Sequence, residues 1–158
     1  LGVYIFSKCV DVKIKTMNTI KIKGELDEHK IPHVYLNVIN PETNMTAVIF
    51  AIIDTGAAFS ALKQSVIDLL NLNKIKEQTT EYLMAGKIEV GVYEASLAIS
   101  DKCILEQIEF KTIKPDDSYF EAVIGMDLIK YCDFKLNHQS KLFELEFYLD
   151  EFLISKDQ

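Results

Sequence analysis

The 158 residues carry 24 acidic against 17 basic side chains, a net charge of −7, with 49% hydrophobic and 26% charged residues. That length fits one domain, and the composition is that of a globular chain, neither disordered nor collagen-like. The acidic balance works against nucleic acid, whose affinity comes mainly from Lys and Arg neutralising phosphates.

In chain order, Val10, Val12, Ile14, Ile20 and Ile22 alternate with polar neighbours, the period-2 signature of a half-buried strand, and Gly24 is read as its break. Ile31 to Ile39 alternates again through Val34, Leu36 and Val38, and the turn formers Asn40 to Asn44 follow. The next strand, Met45 to Ile53, ends in the longest apolar run, Ala47 to Ile53, which predicts burial on both faces. A membrane-spanning helix needs about 20 such residues, so no segment of this chain is expected to cross a bilayer. Leu62 to Leu72 spaces Val66, Ile67, Leu69 and Leu70 as one short helix, with Ser65 as its expected cap. Thr79 to Met84 and Ile88 to Val92 predict a projecting hairpin with its tip at Ala85-Gly86-Lys87. Strands at Tyr93 to Ser100 and Ile104 to Ile113, a loop over Lys114 to Ser118, a short strand Ala122 to Gly125 and a helical turn Met126 to Tyr131 come next. A last hairpin, Phe134 to Asn137 with Lys141 to Tyr148, sets Phe143, Leu145 and Phe147 on one face and Leu142, Glu144 and Glu146 on the other. The expected class is all-β, mainly strands with two short helices, and no 20- to 50-residue repeat interrupts it.

The sharpest chemical feature is Ile52-Ile53-Asp54-Thr55-Gly56-Ala57. A carboxylate directly after an apolar strand needs partners, because an unpaired buried charge is expensive. Thr55 can donate a hydroxyl, and Gly56 lets backbone amides approach the carboxylate without a Cβ in the way. The tripeptide alone favours a plain Asp-Gly type turn at a strand end. About 70 residues after Asp54, however, the string Ala122-Val123-Ile124-Gly125-Met126-Asp127-Leu128-Ile129 opens a helix.

Together these strings resemble the retroviral-type aspartic proteases, the retropepsins and their cellular and bacterial relatives, over roughly Ile31 to Phe147. The resemblance implies a closed β-barrel with one lobe per chain. It divides the chain into an N-terminal extension (1–29), the protease-like domain (30–148) and an acidic C-terminal tail (149–158). It makes Asp54 the catalytic aspartate, Thr55 the residue gripping its counterpart across a two-fold axis, Gly56 a substrate backbone contact and Ala57 part of the same support. Met84, Ala85, Gly86 and Lys87 would form the flap, and Ile124, Gly125 and Asp127 the loop beneath the site. The chemistry needs two carboxylates sharing one proton, one activating water and the other protonating the amide carbonyl. No second Asp-Thr-Gly or Asp-Ser-Gly exists in the chain. A homodimer acting on a peptide or protein substrate is therefore implied, with a mildly acidic optimum because one carboxylate must stay protonated. Phe143 to Tyr148 is the expected dimer strand, with the Val10 to Lys23 strand adding to it or covering its edge.

Two positions depart from the viral pattern: Ala58 and Met126 stand where the family commonly has Asp and Arg, an ion pair bracing site and dimer. Joint loss leaves no unpaired buried charge. With Gly86 the lone flap glycine, a stiffer flap is expected, and the rival reading keeps the fold as a non-catalytic dimerisation or peptide-binding module. No cofactor is implied. His29, His33 and His138 lack partners at metal-site spacing and read as surface or strand histidines, so no metal is assigned. Asp127 reads as helix capping and loop support, and Asp116, Asp117 and Ser118 as a solvated loop. Cys9, Cys103 and Cys132 are odd in number and far apart, three thiols rather than a disulfide frame, with Cys132 buried. A cytoplasmic location is expected, since Leu1 to Ser7 offers no secretory signal, and Met17 is read as a candidate natural start.

Overall fold

A computed structural model describes residues 18–82, 86–101, 103–113, 118–150 and 152. In chain order they form β1 (Thr19–Leu26), β2 (Pro32–Ile39), β3 (Thr46–Ile53), β4 (Ala61–Leu62), α1 (Gln64–Leu70), β5 (Lys74–Tyr82), β6 (Gly86–Ser100), β7 (Cys103–Thr112), β8 (Ala122–Ile124), α2 (Met126–Ile129), β9 (Cys132–Asn137) and β10 (Leu142–Tyr148). The chain is all-β with two short helices, as its periodicities predict.

The strands hydrogen-bond in the order β5-β6-β7-β4-β8-β3-β2-β1-β10-β9, and β2 also pairs back onto β6 through Asn37–Ile39. That return closes β6, β7, β4, β8, β3 and β2 into a six-stranded barrel. Inside it lie the inward residues of each strand, with Val38, Ile49, Leu62, Leu97, Leu105 and Phe110 almost wholly buried. Burying a side chain of this kind is worth about 1.5–3 kcal/mol, so the barrel interior is the main source of stability. A buried Asn40 links two elements: its Nδ2 donates to the carbonyls of Leu70 and Asn71 (2.9 and 3.0 Å), while its Oδ1 accepts from Glu42 N–H at 2.8 Å. One side chain thus shapes the β2–β3 turn and satisfies carbonyls at the end of α1.

Several elements differ from expectation. Gly24 does not break β1. It lies inside the strand opposite Phe143, where any Cβ would collide with the Phe143 ring and the His33 carbonyl oxygen; the glycine marks a close approach rather than a turn. Ser65 does not cap α1: Lys63 holds the N-cap position with no side-chain cap bond, and Leu62 belongs to β4. The helix ends instead on Asn71, whose φ of 50° is a left-handed cap. Strand β6 runs unbroken through Val92 and Tyr93 for 15 residues, with register shifts against β7 between Ala95 and Leu97 and between Ala98 and Ser100. These irregularities let one strand serve both the outer hairpin and the barrel.

Strand β10 is not a free edge. Thr19–Glu25 of β1 pair with Leu142–Tyr148 on one side and β9 pairs on the other, so Phe143 to Tyr148 have no edge to offer a second copy. The expectation that the N-terminal strand covers this edge holds for β1; residues 10–17 lie outside the described residues. On the solvent face Lys21 reaches Glu144 and Glu146 (3.2 and 3.8 Å), and Lys23 reaches Glu144 at 3.9 Å. Exposed pairs of this kind add little stability but favour one register. On the inner face Phe143, Leu145 and Phe147 join the core, and Leu149 and Phe152 beyond β10 are buried with them.

Among the described residues no helix is long and apolar enough to cross a membrane. The cysteines Cys103 and Cys132 are free. Burial raises the Cys103 thiol and pushes Cys132 up to about 12, the latter with a smaller push from Asp133. Since the thiolate is the nucleophile, both should resist iodoacetamide at pH 8 in the native protein and react in denaturant. Peptide mass mapping after alkylation checks this, and native labelling of Cys132 would contradict it.

Candidate active site

Strand β3 delivers Asp54 to the end of the barrel. Its core-facing residues are Ile49, Ala51 and Ile53, so Val48, Phe50, Ile52 and, by alternation, Asp54 point the other way. Parallel pairing with β8 fixes the strand end: Ile53 lies opposite Ile124, and Asp54 N–H donates to Ile124 carbonyl at 3.0 Å. The chain then turns sharply. Asp54 Oδ1 accepts the Gly56 N–H at 2.8 Å, and Ala57 N–H donates to the Asp54 carbonyl at 3.2 Å. The carboxylate is half-buried, with Thr55 and Gly56 exposed beside it. Such a turn presents a carboxylate at a fixed point while leaving it within reach of water.

Beneath the turn, Gly125 packs against the Asp54 loop. A Cβ there would lie 2.6 Å from Phe59 carbonyl carbon and 2.9 Å from Ala57 carbonyl oxygen. Two hydrogen bonds hold the loops at this separation, Met126 N–H to Ala57 carbonyl at 2.7 Å and Gly125 N–H to Ser60 Oγ at 3.0 Å. Ser60, fully buried, donates in turn to Asp127 Oδ1 at 2.7 Å, and that oxygen also accepts from Leu128 N–H at 3.0 Å. Asp127 therefore supports a loop and the first turn of α2. Ser60 is the residue sequence reading missed. Its only signal was a small polar side chain between Phe59 and the apolar pair Ala61-Leu62.

Ile124, Gly125 and Asp127 thus come together under Asp54, Thr55, Gly56 and Ala57. Of the flap residues, Met84 and Ala85 lie outside the described residues. Gly86, with a φ of 70°, and Lys87 begin β6, paired with Tyr82 and Glu81 of β5. Ala58 and Met126 are both exposed. His29 and His138 lie exposed in turns and His33 in β2. Among the described residues no three His, Cys, Asp or Glu side chains gather into a metal-holding group.

Beside the site, a cavity of about 230 Å³ opens between Phe59, Gln78, Lys111 and Asp127. Lys111 is 6% exposed; its Nζ donates to Thr80 Oγ1 at 3.0 Å and lies 3.4 Å from the Phe59 ring centroid. Burial lowers its pKa, against the attraction of Asp127. This ammonium ties β7 to β5 and to the Asp54 loop.

Compared by sequence, the chain matches no protein-family model and no curated protein. Solved structures do match. A retropepsin-like aspartic protease from Rickettsia conorii superposes with a TM-score of 0.56 at 17% identity, over 82% of this chain and 93% of that one. The retroviral protease-like domain of Ddi1 from Leishmania major gives a TM-score of 0.46 at 15% identity, over 73% and 93%. Likeness at such identity is likeness of fold. With its closed six-stranded barrel, one Asp-Thr-Gly turn and a single lobe, this chain has the retropepsin-like fold.

Proposed function

We propose that the protein is a homodimeric aspartic endopeptidase, in which Asp54 of two copies together activate water against a peptide bond of an extended substrate. The observation that carries this is the Asp54 turn, a half-buried carboxylate fixed by the Gly56 amide at the end of a core strand, one per chain. A general base and a general acid are both needed, and a single carboxylate cannot be both at once. Thr55, Gly56 and Ala57 are read as its support, Gly86 and Lys87 with Met84 and Ala85 as the flap, and Ile124, Gly125 and Asp127 as the loop beneath. Since β10 is paired on both sides, we read the surface that meets the second copy as the one carrying the Asp54 turn, with Thr55 and Gly56 exposed on it.

Incubation with denatured casein is expected to release peptides, with release blocked by a statine-type transition-state inhibitor. Light scattering should give about twice the 18.0 kDa chain mass. A strict monomer at the assay concentration, or cleavage indifferent to the inhibitor, would overturn the reading. A dimer that binds casein without cutting it would favour the non-catalytic module.

A further inference from the structure

Lys111 stands on β7 opposite Val92 of β6, and Val92 pairs on its other side with Lys76 of β5. The Lys111 ammonium bonds not at that level but to Thr80 Oγ1, at 3.0 Å, four residues further along β5. On a flat sheet those four residues would set Thr80 about 13 Å along the strand from Lys76, out of reach of a lysine two strands away. The β5–β6 hairpin is therefore bent over the face that carries Lys111. Thr80, opposite Ile88, is gripped only two residue pairs before the ladder ends at Tyr82 and Gly86. The same ammonium lies 3.4 Å from the centroid of the Phe59 ring, and Phe59 belongs to the loop that follows Asp54.

We propose that Lys111 is a positioning residue, whose ammonium keeps the hairpin bent toward the Asp54 loop and so sets the gap in which substrate is held. The proposal rests on the protease reading above, with the β5–β6 hairpin as the flap. The bend itself is the first observation, since one charged group touches both the hairpin near its free end and the loop of the carboxylate. The second is that packing does not close this space: the cavity of about 230 Å³ lies between Phe59 of the loop, Gln78 and Val92 of the hairpin, and Lys111.

The third observation is that the charge is a poor choice for stability. Lys111 is 6% exposed, and no ion pair among the described residues includes it. Glu109, two residues away, is taken by Lys76 at 2.8 Å, and Asp127 Oδ1 by the Ser60 hydroxyl and the Leu128 N–H. An ammonium removed from water without a paired carboxylate costs the fold more than a methionine of similar length would. What the charge supplies that methionine cannot is a grip on a hydroxyl of one element and a ring face of another at once.

The test reads amide hydrogen exchange by NMR on the whole chain, together with melting temperature and steady-state cleavage of a peptide taken from a site mapped in casein. In Lys111→Met the amides of Thr80–Tyr82 and Lys87–Glu89 should exchange about tenfold faster, those of Ile49–Ile53 should not change, and the melting temperature should hold or rise. KM should rise about tenfold with kcat within twofold, because Asp54 is untouched. Thr80→Val should loosen the hairpin alike, and the double variant should be no looser than either single one. Lys111→Arg should restore most of both effects, since a guanidinium also donates and stacks on rings. Lys74→Met, which breaks an exposed pair with Glu77 within β5, should change nothing.

Unchanged hairpin exchange in Lys111→Met and Thr80→Val would overturn the proposal. So would a melting temperature that falls while β3 and the hairpin loosen together, which would make Lys111 a structural residue, or a looser hairpin in an active protein whose KM stays the same. A looser hairpin in a protein that cuts nothing would instead sink the protease reading and leave Lys111 as the clamp of the hairpin.

Discussion

Asp54→Asn is expected to lower the rate of peptide release from denatured casein by at least about 10³-fold while leaving the melting temperature within a few degrees. The asparagine carbonyl oxygen can take the place of Oδ1 in accepting the Gly56 N–H, so the turn keeps its bond. What is lost is the titrating oxygen. General acid or base assistance contributes roughly 10² to 10⁴ per group, and in a symmetric dimer the change removes both partners together. Wild-type and variant are compared by initial rate at equal protein and by circular dichroism on heating. A variant that folds and retains more than a tenth of the activity would sink the aspartic mechanism.

Gly125→Ala is expected to destabilise the fold strongly. The added carbon would lie 2.6 Å from Phe59 backbone, and backbone cannot swing aside as a flexible side chain can. Separating the two loops stretches the Met126-to-Ala57 and Gly125-to-Ser60 hydrogen bonds, and through Ser60 it disturbs Asp127. Overpacking of this kind costs about 3 kcal/mol at the upper end, or roughly 10 °C of melting temperature for a chain of this size. Thermal denaturation decides the matter. An unchanged transition would mean that the loops are not held where the structure puts them.

What could be read from the sequence was what short strings encode. Asp54 to Ala57 and Ile124 to Asp127 are local, each defined by a strand end and the residues that turn it, so their positions were foreseeable, while their packing on one another was only what the resemblance implied. Ser60 was not, because its work depends on Asp127, 67 residues away, which no periodicity relates to it. Lys111 reads as an ordinary strand lysine until β5 brings Thr80 and the Asp54 loop brings Phe59. Alternation places Tyr35 on the face opposite the core, but the unbroken apolar run Ala47 to Ile53 predicts burial on both faces of β3, and Val48 stands 65% exposed there. Gly24 misled for a related reason: the same residue that ends a strand also permits a ring from a distant strand to pass close.

The placement of β1 has a consequence for how the chain is made. Thr19 bonds to Glu146, 127 residues later, and the pairing of β1 with β2 is confined to Glu25–Leu26. During synthesis at about 5–20 residues per second, β1 waits roughly 6 to 25 s before its main partner leaves the ribosome. For that time its Ile20, Ile22 and Leu26 side chains and most of its backbone lack their native cover, an invitation to strands of neighbouring nascent chains. The barrel from β2 to β8 can close meanwhile, so the β1–β10 layer is added last, and a ribosome that stalls before Leu142 releases a closed barrel with a loose, adhesive strand at its head.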